Sequence, residues 1–332
     1  HLSASLLSLA ADLGYPTVLS LHDFYFACHL IHLIDTRRQL CAGPERGERC
    51  VSCLREVDPT GEVRHRFPFM AKALQEPDIV LTPSRFLAER MLSYFPELEG
   101  RLRVVPLGVE RPHCSPTRRS FKKPLRILCV GVLIPHKGAH VLLEAIQGLP
   151  SEAVEVSLYV SVSSYWQPYV DQLHELAKGS SVHFRGVYDH AELAGILAQH
   201  DVLVMPGICE ETFSLMTREA LLAGLPVIAA RRGALIEAIQ DGKNGFFFDP
   251  ESPEDLRRCL SKLINDPELA KSLANSSTQV RTPDEYATDI ETIYTEICSG
   301  SLRATVLQER LARHYQSRVA LQQESKQQQA DL

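Results

Sequence analysis

Two carboxylates stand eight positions apart in the run Met205-Pro-Gly-Ile-Cys-Glu-Glu211-Thr-Phe-Ser-Leu-Met-Thr-Arg-Glu219-Ala-Leu-Leu-Ala-Gly224. The run reads as a strand end, a loop, and a helix that opens at Ser214 and closes at Gly224 before Pro226. Ser is a good N-cap and Gly a good helix terminator. The free N–H groups of Leu215, Met216 and Thr217 would point out of the helix start. With the helix dipole they form a cradle for an anion such as a diphosphate. Glu211 lies in the loop ahead of the cradle and Glu219 one turn inside the helix. Carboxylates on both sides of an anion site suit a nucleotide sugar, one meeting the sugar ring and the other the ribose hydroxyls. A capped surface helix with two solvated glutamates has the same residues, since acidic first turns are common. A second segment, Val130-Gly-Val-Leu-Ile-Pro-His-Lys-Gly138, reads as a strand, a turn at Gly131, and Lys137 at the mouth of the next helix. A lysine there neutralises phosphate as a point charge; a surface lysine in a turn is the alternative.

These segments need a scaffold, and the chain supplies one. Helix Ser3–Leu13 precedes strand Thr17–Leu21, which ends at His22-Asp23. An irregular Cys-rich stretch follows, up to Asp78. Next come strand Ile79–Thr82, helix Arg85–Tyr94 and strand Leu102–Pro106. Residues 111–124 hold prolines and basic residues without apolar periodicity, and read as a linker. From Leu125 strands and helices alternate: Arg126–Val130, Ala139–Gln147, Val154–Val160, Tyr169–Ala177, Val182–Phe184, Ala191–Gln199, Val202–Met205, Leu215–Ala223, Val227–Ala229, Leu235–Gln240, Gly245–Phe248 and Pro253–Asn265. Alternation of this kind predicts an α/β fold with doubly wound parallel sheets. Ligands then bind beyond the carboxyl ends of the strands. The expected organisation is a domain over 1–110 with a Cys-rich loop at 28–53, a linker at 111–124, a second domain over 125–280, a helix at 281–298 crossing back to the first, and a polar tail at 299–332.

Composition narrows the function. The chain has 332 residues, 45% of them hydrophobic and 23% charged, with a net charge of −6. That is an ordinary globular composition and excludes collagenous or wholly disordered chains. An acidic balance argues against nucleic acid as a partner. No apolar run approaches the ~20 residues of a membrane span. The chain opens on His1 in the middle of an amphipathic pattern, without the features of a signal peptide.

Further motifs carry a resemblance. Glu211-x7-Glu219 with Phe213-Ser-Leu, and Glu219-Ala-Leu-Leu-Ala-Gly-Leu-Pro-Val-Ile-Ala, resemble the signature of the retaining glycosyltransferases of family 4. So do Gly131…Lys137-Gly138, Phe184-Arg-Gly-Val-Tyr188, Asp241-Gly-Lys-Asn-Gly-Phe-Phe-Phe-Asp249 and Thr82-Pro-Ser84-Arg-Phe, in the same order and spacing. Pro106-Leu-Gly-Val-Glu110 stands where the family often has Pro-Asn-Gly-Val-Asp. The resemblance covers residues 1 to about 298 and implies two Rossmann-like domains facing across a cleft, the N-terminal one incomplete at its front. It implies a nucleotide-diphosphate sugar donor, held mainly by the C-terminal domain, and a glycan, lipid-linked or other glycoconjugate acceptor. It implies a retaining transfer with no catalytic cofactor, in bacterial glycan assembly in the cytoplasm. Carried over by position, Lys137 and the N–H groups at Ser214, Leu215 and Met216 would hold the diphosphate. Glu211 would meet the donor sugar, Glu219 the ribose, and Val187 and Tyr188 the base. His22 would face the sugar from across the cleft, and Gly131 would open the donor-side turn.

Two residues depart from that pattern. Val132 stands where the family usually has Arg, which removes one diphosphate partner; His136, Arg218 and Arg231 are the available substitutes. Ser214 replaces a common Gly. The missing Arg keeps a second expectation open: a catalytically impaired sugar-nucleotide-binding or scaffold protein of the same fold.

Four of the nine cysteines cluster as Cys28, Cys41, Cys50 and Cys53. Cys50-x2-Cys53 puts two sulfurs on one tight turn, and two more thiolates would close a four-cysteine structural zinc site. Free thiols, or disulfides in an exported chain, are the alternatives. Basic Arg37-Arg38 and Arg118-Arg119…Lys122-Lys123 could touch the anionic inner membrane surface, although a solvated loop carries the same residues.

Overall fold

The computed structural model of the chain describes residues 3–112, 121, 123–276 and 279–299. The N-terminal lobe holds α1 (Ser5–Asp12), β1 (Val18–Ser20), α2 (Glu48–Cys53), α3 (Arg66–Ala73), β2 (Ile79–Thr82), α4 (Arg85–Tyr94) and β3 (Leu102–Val104). Its three strands form one parallel sheet in the order β1-β2-β3, with Val18 opposite Ile79 and Val80 opposite Leu102.

The C-terminal lobe begins with β4 (Leu125–Val132), α5 (Ala139–Gln147), β5 (Val154–Ser161), α6 (Gln167–Ala177), β6 (Val182–Gly186) and α7 (Leu193–Ala198). It continues with β7 (Val202–Met205), α8 (Leu215–Leu222), β8 (Val227–Ala230), α9 (Leu235–Ala238), β9 (Gly245–Phe248), α10 (Pro253–Asn265), α11 (Pro267–Ala274) and α12 (Pro283–Cys298). Its six strands are all parallel, in the order β6-β5-β4-β7-β8-β9. Strand order therefore reverses between β4 and β7. The helices that follow those two strands, α5 and α8, pack on opposite faces of the sheet, and the crevice at such a point is where doubly wound sheets bind ligands. Lys137 lies in the turn after β4, and Glu211 in the loop after β7.

Alternation along the strands builds the cores. On β4, Leu125, Ile127 and Cys129 enter one apolar cluster and Leu128 enters the other, so both faces are covered. On β2, Val80 packs with Leu87, Met91 and Phe95, while Ile79 and Leu81 meet Ile293 and Ile297 of α12 on the opposite face. The helix at the end of the described chain thus seals the N-terminal sheet, and Arg103 pairs with Glu296 at 2.6 Å.

Two sequence expectations are corrected, and one helix is added to the expected run. The stretch between His22 and Asp78 is not wholly irregular: it contains α2 and α3. Helix α3 buries Met70 and Ala73, but Phe67-Pro-Phe69 puts aromatics on both sides and blurs the period. Helix α11 follows α10 directly, capped by the side chain of Asp266. Gly131 does not open a turn but lies within β4, which runs on to Val132. The expectations for the tail at 300–332 and for most of the linker fall outside the described residues.

Candidate donor site at the crevice

The loop between β7 and α8 is clamped from both sides. The Ile208 N–H donates to the His136 carbonyl at 3.0 Å, and the Ala234 N–H to the Glu211 carbonyl at 2.7 Å. Two glycines permit the approach. A Cβ on Gly138 (φ +73°) would lie 2.0 Å from the Pro206 oxygen, and one on Gly233 (φ +54°) 2.3 Å from the Glu211 oxygen. Neither position has room for a side chain, and both need left-handed backbone. Gly138→Ala is expected to lower stability by about 2–4 kcal/mol, through strain and backbone displacement. Urea unfolding measures it; an unchanged midpoint would contradict the clamp.

The clamp fixes the charged groups. Lys137 Nζ sits 2.5 Å from Glu211 Oε1, with both side chains largely buried. Burial works to lower the Lys137 pKa, but the Glu211 carboxylate, with Cys209 and the hydrogen bond to Glu211, outweighs it and holds the ammonium above its ordinary value. The two residues that the sequence singled out separately are thus one ion pair at the crevice.

Helix α8 starts beside it. Ser214 caps it, its Oγ accepting from the Thr217 N–H at 3.4 Å. Ser214 holds φ +62°, in the left-handed region. Glycine fits that backbone more easily, so the serine is not the easy replacement that N-cap preference implies. The N–H groups of Leu215 and Met216 lie in the first turn, where no helix carbonyl can serve them. Arg218 is buried deeper in α8. Its guanidinium donates to the carbonyls of Phe213 and Ser214 and lies 3.6 Å over the Phe213 ring. Burial pushes it down to about 10. It is thus engaged in holding the loop.

The remaining site residues fall around α8. The Glu219 carboxylate is paired with His190, whose Nε2 stands 3.2 Å from its Oε1. The Tyr188 hydroxyl reaches Met216 Sδ at 3.9 Å, and its ring packs edge-on against Tyr159. Val187 is 76% exposed, on the solvent side of that turn. A Cβ at Gly131 would meet nothing within 4 Å, so open space rather than crowding surrounds it. Val132 is exposed at the end of β4. Arg231 is turned away toward the sheet edge, 3.6 Å from Asp241 and over the Phe247 ring.

The N-terminal lobe reaches the same loop. The Thr212 hydroxyl donates to the His22 carbonyl at 2.6 Å, and the Ser84 hydroxyl donates to the Thr212 carbonyl at 2.6 Å. Arg90 pairs with Glu210, and Glu237 accepts from the Phe86 N–H at the start of α4. His22 is therefore placed at the loop by its backbone, with its side chain exposed. His190 was not singled out from sequence, because only the fold makes it a neighbour of Glu219.

The four cysteines of the zinc expectation come together in the N-terminal lobe. Cys28, Cys41, Cys50 and Cys53 are free and half-buried. They share one neighbourhood: burial, then Cys28, Cys41 and Cys53, pushes the Cys50 thiol up to about 11. Cys50 and Cys53 lie on α2 rather than on an open turn, and Cys41 Sγ is turned to the Gly43 carbonyl. Among the described residues no three His, Cys, Asp or Glu side chains are grouped so as to hold a metal ion. No step below is routed through a metal at these thiols. Metal analysis with a native thiol count is the check. Stoichiometric zinc with protected thiols would support the zinc expectation; no zinc, with all four thiols titrating after unfolding, would refute it.

Of the basic residues of the membrane expectation, Arg37 and Arg38 are engaged and Lys123 is exposed. Arg37 pairs with Asp35, and Arg38 lies over the Trp166 ring. Arg118, Arg119 and Lys122 fall outside the described residues. Among the described residues no helix is long and apolar enough to cross a membrane.

Comparison with known proteins places this crevice in a family. Residues 115–280, half of the chain, match the family described as glycosyl transferases group 1. The chain belongs to that family. It is 28% identical over 215 residues to the sulfoquinovosyl transferase SQD2 of Arabidopsis thaliana, a match taking in 61% of this chain and 41% of that protein. It is 31% identical over 207 residues to the MMP alpha-(1->4)-mannosyltransferase of Mycolicibacterium hassiacum, covering 61% and 49%. The chain thus spans about half the length of the curated relatives it matches. Among solved structures, the fold resembles Anabaena Alr3699/HepE in complex with UDP and glucose, with a TM-score of 0.67, 18% identity, and coverage of 88% of this chain and 76% of that one. A sucrose-phosphate synthase from Thermosynechococcus elongatus gives 0.66 and 19%, covering 89% and 77%. The fold of this group 1 chain is accordingly α/β, with two Rossmann-like lobes.

Proposed function

We propose that the chain moves a sugar from a nucleotide-diphosphate donor to a hydroxyl of a glycan, lipid-linked or other glycoconjugate acceptor, keeping the anomeric configuration. The observation that carries this reading is the Lys137–Glu211 pair beside the open first turn of α8, at the strand-order reversal. Family membership supports it, as do the transferase names of the relatives and the UDP-glucose complex of HepE.

The residues divide the work as follows. Lys137 and the N–H groups of Leu215 and Met216 take the diphosphate. Glu211 faces the donor sugar, Glu219 the ribose hydroxyls, and Tyr188 and Val187 the base, with His22 opposite. As the bond from the anomeric carbon to the diphosphate breaks, its electron pair leaves with the diphosphate. Lys137 and the amides then meet that growing charge with dipoles already oriented, which is the main source of rate enhancement in such sites. We place the reaction in the cytoplasm, with its donors.

The test is incubation with a panel of nucleotide sugars and acceptors, reading released nucleotide diphosphate and the anomeric coupling of the product. One conjugate is expected to be consumed, giving a product of unchanged anomeric configuration. Tight binding without turnover on any acceptor would favour a binding protein, and an inverted product would refute retention.

A further inference from the structure

A pair of histidines bridges the two lobes at the crevice. His32 comes from the loop after β1, and His136 from the turn between β4 and α5. Their ring centroids are 4.9 Å apart, with the planes tilted by 42°. The Nε2 atom of His136 is buried and has no hydrogen-bond partner. Buried polar atoms are paired in the great majority of cases, so such an orphan points to a missing counterpart. The charged groups facing His136 are His32, Lys137 and Glu211. Those facing His32 are Lys137, Glu211 and Asp23.

The donor site proposed above, on which this inference rests, is short of positive charge. A nucleotide-diphosphate sugar carries two negative charges on its phosphates. Lys137 is already neutralised by Glu211. Of the residues that could replace the cation absent at Val132, Arg218 is engaged with loop carbonyls and Arg231 with Asp241. The histidine pair adjoins Lys137 directly.

We infer that His32 and His136 together act as a second cation for the donor diphosphate, gaining one proton from solvent as the nucleotide sugar binds. Without an anion beside them the surroundings disfavour charge on either ring. Burial, then His32 and Lys137, pushes His136 down to about 4. Burial and Lys137 hold His32 below its ordinary value against the pull of Glu211 and Asp23. Two phosphate charges placed against Lys137 reverse that field. The pair accepts one proton rather than two, because two imidazolium rings this close repel. No bond to the nucleotide is made or broken.

The sign follows from linkage. Binding raises the proton affinity of the pair, so donor affinity is greatest at low pH. It weakens as pH rises through the bound-state value, by up to about tenfold per pH unit while one proton is taken up. A purely structural role for the rings would leave affinity independent of pH.

Isothermal titration of the full chain with UDP-glucose, GDP-mannose, ADP-glucose and dTDP-glucose tests this, between roughly pH 5.5 and 8.5 in buffers of different ionisation enthalpy. These conjugates have no phosphate that titrates in that range, so proton uptake reports on the protein. The expected result is uptake approaching one proton for the conjugate that binds. His32→Gln and His136→Gln should each abolish that uptake and flatten the pH profile, with binding weakened about tenfold at the acid end. Histidine C2 proton shifts in the unmodified chain provide a readout without substitution: two resonances should begin to titrate only with donor bound. Binding without proton uptake, or uptake unchanged in both Gln variants, would overturn the pair and leave the donor site standing. Failure of all four conjugates to bind would overturn the donor reading itself, and the pair with it.

Discussion

Lys137→Ala is expected to lower donor turnover by about 10²–10³-fold, the loss typical of removing one preorganised group from a developing oxyanion. The physical basis is the position of Lys137 at the mouth of α5, held by a turn that only Gly138 can close. The residue is charged throughout the neutral range, since Glu211 and Cys209 keep its pKa above the ordinary lysine value despite burial. Its contribution should therefore not vary with pH until the alkaline range, where a raised lysine pKa is finally passed. Removing it also leaves Glu211 as an unpaired carboxylate facing the diphosphate, so donor affinity falls with turnover. Lys137→Arg should recover binding in part but not the full rate, because a broad planar guanidinium cannot occupy the same point as a compact ammonium. Steady-state kinetics with donor varied, alongside direct binding, separates these effects. Wild-type kinetics in Lys137→Ala would contradict the assigned role.

Glu211→Gln is expected to do something different. The amide keeps the size of the side chain and its clamp through the Glu211 carbonyl, but releases Lys137 from its partner. The freed ammonium should hold the product diphosphate as tightly as before or more so. Turnover should fall by about 10²-fold, because the negative group facing the sugar is lost. A fall in kcat without a rise in KM is the mark of an interaction made in the transition state rather than in the ground state. Glu211→Ala should show the same direction with a larger loss. Unchanged turnover in either variant would remove Glu211 from the chemistry. The two substitutions thus split one ion pair into a binding half and a reaction half.

The strands of the C-terminal lobe were legible because each is a short apolar run bounded by glycine, proline or a charged turn. Val202–Met205 and Gly245–Phe248 match the observed elements residue for residue. The expected cradle also corresponds to a real helix start, with Ser214 as cap. What sequence could not provide was contact across the fold. Lys137 and Glu211 were suspected for their types, but their pairing depends on the Gly138 and Gly233 approaches. Arg218 and Arg231 looked as suitable as His136 for a missing cation until burial against Phe213 and pairing with Asp241 removed them. His32 lies in a stretch of weak local pattern, and its place beside the donor site depends on its contact with the His136 ring. The cysteine spacing suggested a tight turn, whereas Glu48–Cys53 folds into a helix. Local spacing is blind to that choice when tertiary packing decides it.

Hydrogen-exchange mass spectrometry with nucleotide sugars addresses the site most directly. The conjugate that binds is expected to slow exchange at the first turn of α8, around Leu215 and Met216, and in the turn carrying Lys137. In Lys137→Ala that protection should fall at least tenfold in donor sensitivity. Protection elsewhere with neither segment affected, or identical protection in Lys137→Ala, would contradict a donor site built on this crevice.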